Sequence, residues 1–181
     1  MAGGKKGCLI IIVIVGALIL FGYPAVKKTR SQLMALDKEI KTAWAQMEQQ
    51  HQHWLDLVPN YVETVKSYAP HEQAALGAVT KAHVKAAVAV MMSPKIKASN
   101  ELTTALGQLL VVAERYPDLK ADPTFINLQE KLADTENRIA EERMRYNEAV
   151  REYNAYSQRF PIVIVAAMFG FTKAPLLEAP E

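Results

Sequence analysis

Large apolar residues at seven-residue intervals limit what the C-terminal third of this chain can fold into. The five residues are Leu132, Ile139, Tyr146, Tyr153 and Phe160. Seven residues make about two turns of an α-helix, so these side chains share one face. Charged residues fill the positions between them, as on a solvated outer face. The spacing therefore predicts a long helix that is capped by Asp122, opens at Pro123 and runs to about Phe160.

A second apolar stripe predicts another long helix nearer the N-terminus. Its side chains recur at steps of three and four from Leu33 through Trp44 and Trp54 to Tyr68. Pro59 lies inside this stripe, and a proline in a helix interior removes a hydrogen bond and usually kinks or breaks the helix. The stripe keeps its phase through residue 59, so a kink is favoured over a turn.

Prolines also mark two shorter helices between the long ones. Pro70 is predicted to open a helix that runs to about Met92. Ser93 and Pro94 are predicted to cap and open the next, which stops before Pro117, where a loop begins. No segment alternates apolar and polar residues, so no strand is expected.

An uncharged run, CLIIIVIVGALILFGYPAV, occupies residues 8–26. Its length is close to the ~20 residues that a membrane-spanning helix needs, and lysines flank both ends. A signal peptide would have a shorter apolar core and a small-residue cleavage site, and a buried core helix is rarely apolar on every face. An uncleaved anchor is therefore favoured. A cytoplasmic N-terminus and an extracytoplasmic folded part are expected, although basic residues on both sides make the orientation signal weak.

The predicted fold class is all-α: an N-terminal transmembrane helix followed by an elongated antiparallel up-down-up-down four-helix bundle with two long and two short helices. Residues 1–7 form a short basic tail, 8–26 the transmembrane helix, 27–160 the bundle, and 161–181 an apolar membrane-proximal segment and tail. None of the 19 acidic residues precedes residue 31. The remaining, folded part consequently lacks the basic face of a nucleic-acid binder.

Two groups of residues are candidates for contacts. Two Tyr-Asn pairs lie seven residues apart, and antiparallel pairing of the long helices brings the first beside Trp44, with the amides reaching Lys41, Thr42 or a backbone carbonyl. The candidate interhelix lock comprises Trp44, Tyr146, Asn147, Tyr153 and Asn154. It has two readings: buried amides that penalise slipped helix pairings, or a polar pocket.

The second group lies in the apolar run FPIVIVAAMFGF, residues 160–171, which is too short to span a bilayer. It either packs as core at the base of the bundle, or contacts the membrane surface or a neighbouring subunit. The candidate contact residues are Phe160, Ile162, Ile164, Met168, Phe169 and Phe171.

No catalytic, cofactor-binding or metal-binding motif is recognised. The histidines lack the spacing at which two of them share a metal ion on a helix, so they are expected to be exposed or packed. Glu136, Glu141 and Glu142 stand among arginines and are predicted to form a solvated face. The expectation is that the protein is not an enzyme and takes no cofactor or metal.

From about residue 41 to 171 the sequence resembles the LemA family of bacterial membrane proteins. The matching stretches are AWAQ, LVPNYVETVKSYAPHE, NELTTALGQLLVVAERYPDLKA, FINLQEKLADTENRIAEERMRYNEAVREYN and RFP…AAMFGF. The family usually has basic residues before its DLIPN motif, where this chain has His51, His53 and Trp54. Pro70 also stands where the family often has another residue.

The resemblance implies an all-helical, elongated bundle tethered to a bacterial membrane, with no settled reaction and with some relatives at magnetosome membranes. The function expected is a membrane-anchored scaffold or interaction protein that self-associates or recruits partners at a bacterial inner membrane and organises or shapes it. The expected partners are the lipid bilayer, further copies of the chain and other membrane proteins, without nucleic acid. The alternative is a ligand-sensing bundle that acts through a partner protein.

Overall fold

The computed structural model describes residues 3–177 of the 181-residue chain, with side chains from Tyr23 onward except that of Ser93. The helices in this range are α1 (Gly3–Tyr68), α2 (Gln73–Val88), α3 (Met92–Ala113), α4 (Pro117–Lys120), α5 (Pro123–Ser157) and α6 (Ile162–Met168). No strand occurs within these residues, which confirms the all-α class.

The predicted transmembrane helix at residues 8–26 falls mostly outside the described side chains, which begin at Tyr23. The basic tail at residues 1–7 and the last residues, 178–181, lie outside them as well. Among the helices as far as they are described, none is both long and apolar enough to cross a bilayer.

The chain divides into two compact units. One comprises Ala43–Tyr146, and the other comprises the chain up to Thr42 together with Asn147–Leu176. In the Ala43–Tyr146 unit, Trp54, Val58, Leu102, Leu109 and Phe125 belong to one buried core cluster. The other unit buries Leu33, Leu36, Val150, Tyr153 and Ala166.

Helices α1 and α5 run antiparallel within the Ala43–Tyr146 unit. The ring of Tyr61 stacks on that of Phe125, with centroids 5.3 Å apart. Further along α1, the Tyr68 hydroxyl donates to a carboxylate oxygen of Asp122 at 2.6 Å. From Tyr61 to Tyr68 along α1, the contacted residue on α5 moves back from Phe125 to Asp122, so the two helices run in opposite directions. The other carboxylate oxygen of Asp122 accepts from the backbone N–H groups of Thr124 and Phe125, so the predicted cap of this helix is present.

Helix α1 continues through Pro59, which excludes the alternative of a turn at this residue. A proline has no N–H, so the carbonyl of Leu55, four residues earlier, loses its helical donor. Nε2 of His83 on α2 lies 3.0 Å from that carbonyl oxygen and donates to it. A side chain from a second helix therefore replaces the missing backbone hydrogen bond.

The predicted starts of the short helices were wrong by a few residues. Pro70 lies in a turn closed by a hydrogen bond from the Glu72 N–H to the Ala69 carbonyl, and α2 begins only at Gln73. Proline suits the second position of such a turn as well as the first turn of a helix. Helix α3 begins at Met92, so Ser93 lies within its first turn rather than capping it.

The loop predicted after Pro117 contains helix α4, and the side chain of Leu119 explains why. This leucine is fully buried in the core cluster of the Ala43–Tyr146 unit. Pro117 at the start of α4 fixes a helical backbone angle, and the short helical turn carries Leu119 inward. Burial of one apolar side chain thus orders a segment whose composition is otherwise typical of a loop.

Candidate functional site

Two aromatic residues of the predicted interhelix lock, Trp44 and Tyr146, lie within the Ala43–Tyr146 unit. The rings of Trp44 on α1 and Tyr146 on α5 meet edge to face, with centroids 6.0 Å apart. The Tyr146 hydroxyl also points to the sulfur of Met92 at 3.5 Å. The structure therefore places Trp44 beside Tyr146, as the antiparallel pairing predicts, and adds a contact to the start of α3.

Asn154 has a partner that the sequence did not predict. Its Nδ2 donates to the carbonyl of Ala174 and its Oδ1 accepts from the N–H of the same residue, both at 2.9 Å. The neighbouring Tyr153 hydroxyl donates to the carbonyl of Thr172 at 2.9 Å. Of the expected partners, Lys41, Thr42 or a backbone carbonyl, Asn154 contacts a backbone carbonyl, and that carbonyl belongs to the segment that follows α6.

Asn147, the other amide of the predicted lock, is half-buried on α5, two turns before Asn154.

Burial raises the pKa of Tyr153, with the Asp37 carboxylate acting in the same direction and the Lys41 ammonium in the opposite one. The Tyr153 hydroxyl therefore stays protonated at neutral pH and available as a donor. Taken together, Tyr153 and Asn154 fasten the C-terminal segment through its backbone.

The second predicted group, around α6, is largely exposed. The exposed side chains are Phe160, Ile164, Met168 and Phe169, and Ile162 and Phe171 are half-buried. Phe169 lies under the guanidinium of Arg30, whose central carbon is 4.9 Å from the ring centroid. Exposure of these large apolar side chains disfavours the interpretation of the whole segment as core.

A cavity of about 350 Å³ opens among α1, α3 and α5 within the Ala43–Tyr146 unit. Its size is at the lower end of the range for small-molecule sites, ~300–1,000 Å³. The apolar wall consists of Met47, Ile96, Ile139 and Ala140. Polar and charged side chains make up the rest of the lining, and each of the three helices contributes some of them.

Two cations and two carboxylates line this cavity. The Lys95 ammonium is paired with one oxygen of Glu48, and Glu136 accepts a hydrogen bond from the Thr103 hydroxyl at 2.7 Å. Arg143 lines the same cavity, and no ion pair or hydrogen bond joins it to another described residue. Burial lowers the pKa of Arg143, but a guanidinium starts so high that it remains charged.

His51 belongs to this lining in its neutral form. Burial, followed by the nearby Lys95 ammonium, lowers the pKa of His51, and Glu48 opposes this weakly. The Ser99 hydroxyl already donates its proton to the carbonyl of Lys95 at 2.8 Å. The 2.6 Å contact between His51 Nε2 and Ser99 Oγ therefore requires the imidazole to donate.

Three buried polar atoms on cavity-lining residues have no hydrogen-bond partner in the described part of the protein. They are Oε2 of Glu48, Nε1 of Trp54 and Nε of Arg143. Trp54 is only 1% exposed, so its indole N–H is shielded from bulk water. A buried polar group without a partner costs about 1–3 kcal/mol, and three of the four such side-chain atoms among the described residues belong to this one cavity lining.

The cavity was not predicted from the sequence. Glu136 and Glu142 are half-buried, so the expected solvated face is correct only for the exposed Glu141. One feature of the sequence did point to a polar contact at this place. His51 falls on the apolar stripe of α1, where a buried polar side chain needs a hydrogen-bond partner. Among the residues that the structure describes, no group of three or more side chains has the composition of a metal site.

Comparison with known proteins gives a family and a set of relatives. The LemA family model matches residues 43–181. Over 70 residues the chain is 36% identical to magnetosome proteins MamQ 1 and MamQ 2 of Paramagnetospirillum magneticum, a match that covers 39% of this chain and 26% of each relative. Over 69 residues it is 32% identical to magnetosome protein MamQ of Magnetospirillum gryphiswaldense, with 38% and 25% covered. The chain thus matches about a quarter of the length of these curated relatives.

Proposed function

Because the chain belongs to the LemA family, we propose that it is a helical protein held at a bacterial membrane by residues 8–26. It acts there as a scaffold that associates with further copies of itself or with other membrane proteins, and it is not an enzyme. Its folded part lies outside the cytoplasm. Relatives that are magnetosome proteins favour a role in organising a membrane.

The contact between Arg30 and Phe169 is the observation that carries this proposal. Arg30 follows the uncharged run by four residues, which is about 6 Å along a helix. Its guanidinium lies over the ring of Phe169, the residue that directly follows α6, so the end of α6 lies close to Arg30. A bilayer that holds residues 8–26 would then meet the exposed side chains of Phe160, Ile164 and Met168. Exposed apolar clusters of this kind mark membrane or protein contacts.

The arrangement of α1, α2, α3 and α5 in this proposal is an antiparallel up-down-up-down bundle. The opposite directions of α1 and α5 within the Ala43–Tyr146 unit support it. Contacts of α2 with its neighbours support it too, because Lys85 pairs with Glu101 of α3 and His83 reaches Leu55 of α1. Short connections between consecutive helices favour antiparallel neighbours.

A cysteine at position 164 tests the proposal in the full-length chain. In a Cys8→Ser background, Ile164→Cys would be labelled with an environment-sensitive dye after reconstitution into liposomes that contain anionic lipids. We expect the emission to shift to the blue, because the side chain enters the apolar edge of the bilayer or an interface between copies. The unlabelled variant should also form disulfide-linked dimers in native membranes if two copies meet there.

Glu148→Cys is the matched control, since residue 148 is exposed on α5. It should show the emission of a water-exposed dye and little crosslinking. An unshifted dye at position 164, together with no crosslinked species of any kind, would contradict the proposal. Protease digestion of intact and of opened cells would place the folded part on one side of the membrane.

A further inference from the structure

Two residues of opposite charge, Glu48 and Arg143, line the cavity in the Ala43–Tyr146 unit at the same height along the helix axes. Glu48 offers an acceptor atom without a partner, and Arg143 offers a donor atom without one. The contact between Trp44 and Tyr146 sets the register of α1 and α5. Glu48 lies four residues beyond Trp44, and Arg143 lies three residues before Tyr146. Because the helices are antiparallel, these offsets of about 6 and 4.5 Å point in the same direction. Glu48 and Arg143 therefore line the same end of the cavity, and each has a buried polar atom, Oε2 and Nε respectively, without a partner among the described residues.

The charges of the lining balance. Lys95 and Arg143 carry positive charge, and Glu48 and Glu136 carry negative charge. A multiply charged anion would meet both carboxylates, and a simple cation would meet Lys95 and Arg143. A molecule with no net charge, but with one group of each sign, leaves no buried charge uncompensated.

The other end of the cavity is different in character. Trp54 lies ten residues beyond Trp44, so it is about 9 Å further along α1 than Glu48. Met47, Ile96 and Ile139 line the space between these two levels. This apolar wall suits a short uncharged side chain, and the cavity volume of about 350 Å³ has room for a molecule of that size.

We propose that this cavity binds a free α-amino acid with an uncharged side chain. The ligand's ammonium donates to Oε2 of Glu48, and its carboxylate accepts from the guanidinium of Arg143. The side chain extends along the apolar wall towards the indole of Trp54. The two charges of an α-amino acid are separated by one carbon atom, which matches an acceptor and a donor at one level of the helices.

This binding site goes beyond the scaffold role and does not depend on it. The site lies wholly within Ala43–Tyr146, whereas the contact surface around α6 belongs to the other unit. Occupation of the cavity would join α1, α3 and α5 through the ligand, since Glu48, Ile96 and Arg143 lie on these three helices. The bound amino acid would therefore stabilise the folded unit by mass action.

Tryptophan fluorescence of the full-length protein in mild detergent tests the proposal. The chain has two tryptophans, so Trp44→Phe leaves Trp54 as the single reporter, and this residue lines the cavity. The probes are leucine, methionine and glutamine. We expect a saturable change in emission with at least one of them. Thermal unfolding of the unmodified protein should shift upward with the same amino acid.

Two analogues of leucine separate the charged groups. 4-Methylpentanoate keeps the carboxylate and lacks the ammonium, and 3-methylbutylamine keeps the amine and lacks the carboxylate. Each should bind at least about 10-fold more weakly than the zwitterion, because one charge-assisted hydrogen bond, either to Oε2 of Glu48 or to the Arg143 guanidinium, is lost. If the carboxylate analogue bound as tightly as leucine, the assignment of Glu48 would be wrong.

Substitutions at the two charged residues locate the site. Arg143→Leu and Glu48→Gln should each weaken binding by about 10- to 100-fold, the effect of losing one charge-assisted hydrogen bond. Arg151→Leu is the control, since this exposed arginine on α5 lies outside the cavity. Arg143→Lys retains the charge and serves if the leucine variant does not fold.

Two results would overturn the proposal. One is the lack of a saturable response to all three amino acids up to about 10 mM, which corresponds to a binding free energy weaker than about −3 kcal/mol. The other is equal affinity of the Arg143 and Arg151 variants. Neither result would bear on membrane contact by α6, which the dye at position 164 reports separately.

Discussion

At the scale of single residues, the hydrogen bond from His83 to the Leu55 carbonyl replaces the backbone hydrogen bond that Pro59 removes from α1. Leu55 is 3% exposed, so water cannot easily take the place of the missing donor. The imidazole of His83 reaches the carbonyl oxygen from α2 at 3.0 Å. One residue thus links the continuity of α1 to the packing of α2 against it.

Replacing His83 should therefore destabilise the protein. We expect His83→Ala to lower the free energy of unfolding by about 1–3 kcal/mol, because a buried carbonyl is left without a donor. Pro59→Ala restores a backbone N–H at position 59. The loss caused by His83→Ala should accordingly be smaller in the Pro59→Ala background, by at least about 1 kcal/mol.

Denaturant unfolding of the four proteins of this cycle, full-length in mild detergent, measures the coupling between residues 59 and 83. His53→Ala is the control, since His53 is an exposed histidine on α1, the helix that contains Pro59. Additive effects of the two substitutions would show that the His83 bond does not substitute for the proline's missing donor.

His51 gives the stability of the protein a dependence on pH. Burial and Lys95 lower the pKa of His51 below its ordinary value of 6.5, so the folded protein takes up this proton less readily than the unfolded chain. The stabilisation is therefore complete above about pH 6.5 and is lost as the pH falls from there through the lower pKa of the folded state. The loss for one group cannot exceed about 1.4 kcal/mol per pH unit.

Comparison with His51→Gln isolates this contribution. Glutamine does not titrate, and its amide can still donate to Ser99. Between about pH 7 and 5 the unfolding free energy of the wild type should fall more steeply than that of His51→Gln, by up to the one-proton limit. His53→Gln should follow the wild type. Parallel curves for the wild type and His51→Gln would show that the histidine has the same proton affinity in both states.

At the scale of elements, the end of α5 fastens the segment that follows α6. Asn154 makes two hydrogen bonds to Ala174, and Tyr153 makes one to Thr172. Lys173 lies between these two anchored residues and is itself exposed. The segment has no helix of its own, so these side chains supply the backbone partners that secondary structure would otherwise provide.

Asn154→Ala should release this segment to proteases. Two hydrogen bonds contribute about 1–3 kcal/mol, so the open form should become about 5- to 150-fold more populated. Trypsin cleavage after Lys173, followed by mass spectrometry of the full-length protein, measures this population when opening is faster than cleavage. Asn127→Ala, at an exposed position on α5, should leave the rate unchanged. Equal cleavage of both variants would show that Asn154 does not restrain the segment.

The helices themselves were more predictable than their ends. Seven-residue spacing is a local property of the chain, so it predicts α5 and its pairing with α1, including the contact between Trp44 and Tyr146. Proline is tolerated in a turn, as at Pro70, and also beyond the first position of a helix, as at Pro94, because the first N–H groups of a helix have no partner within it; neither residue could therefore fix a helix start. The buried side chain of Leu119, rather than local propensity, orders α4.

At the scale of the whole molecule, the candidate cavity could not be predicted because it depends on packing. Glu48, Lys95 and Arg143 are separated by about 50 residues each along the chain and meet only when α1, α3 and α5 assemble. Each of them separately resembles an ordinary charge on the outer face of a helix. Composition and periodicity determine which faces are buried, whereas a gap between buried faces depends on how three side-chain layers fit.

The family assignment and the structure constrain the whole protein in complementary ways. The LemA family match covers residues 43–181, which includes the cavity and α6 and leaves out the uncharged run. Self-association or lipid contact at α6 and ligand binding in the cavity would occupy separate units of the chain. A variant that loses one activity is therefore expected to keep the other, which allows the two proposals to be tested independently.

The paired hydrogen bonds of Asn154 have a consequence for how this protein tolerates change. The amide of Asn154 offers one donor and one acceptor to the N–H and the carbonyl of Ala174, in the way that one β-strand offers them to the next. It recognises main chain and is indifferent to the side chain at residue 174. The residue at position 174 should therefore vary widely among homologous sequences. Proline should not occur there, because it has no N–H to donate to Asn154. Position 154 should change little, since a shorter or longer side chain would no longer span the gap.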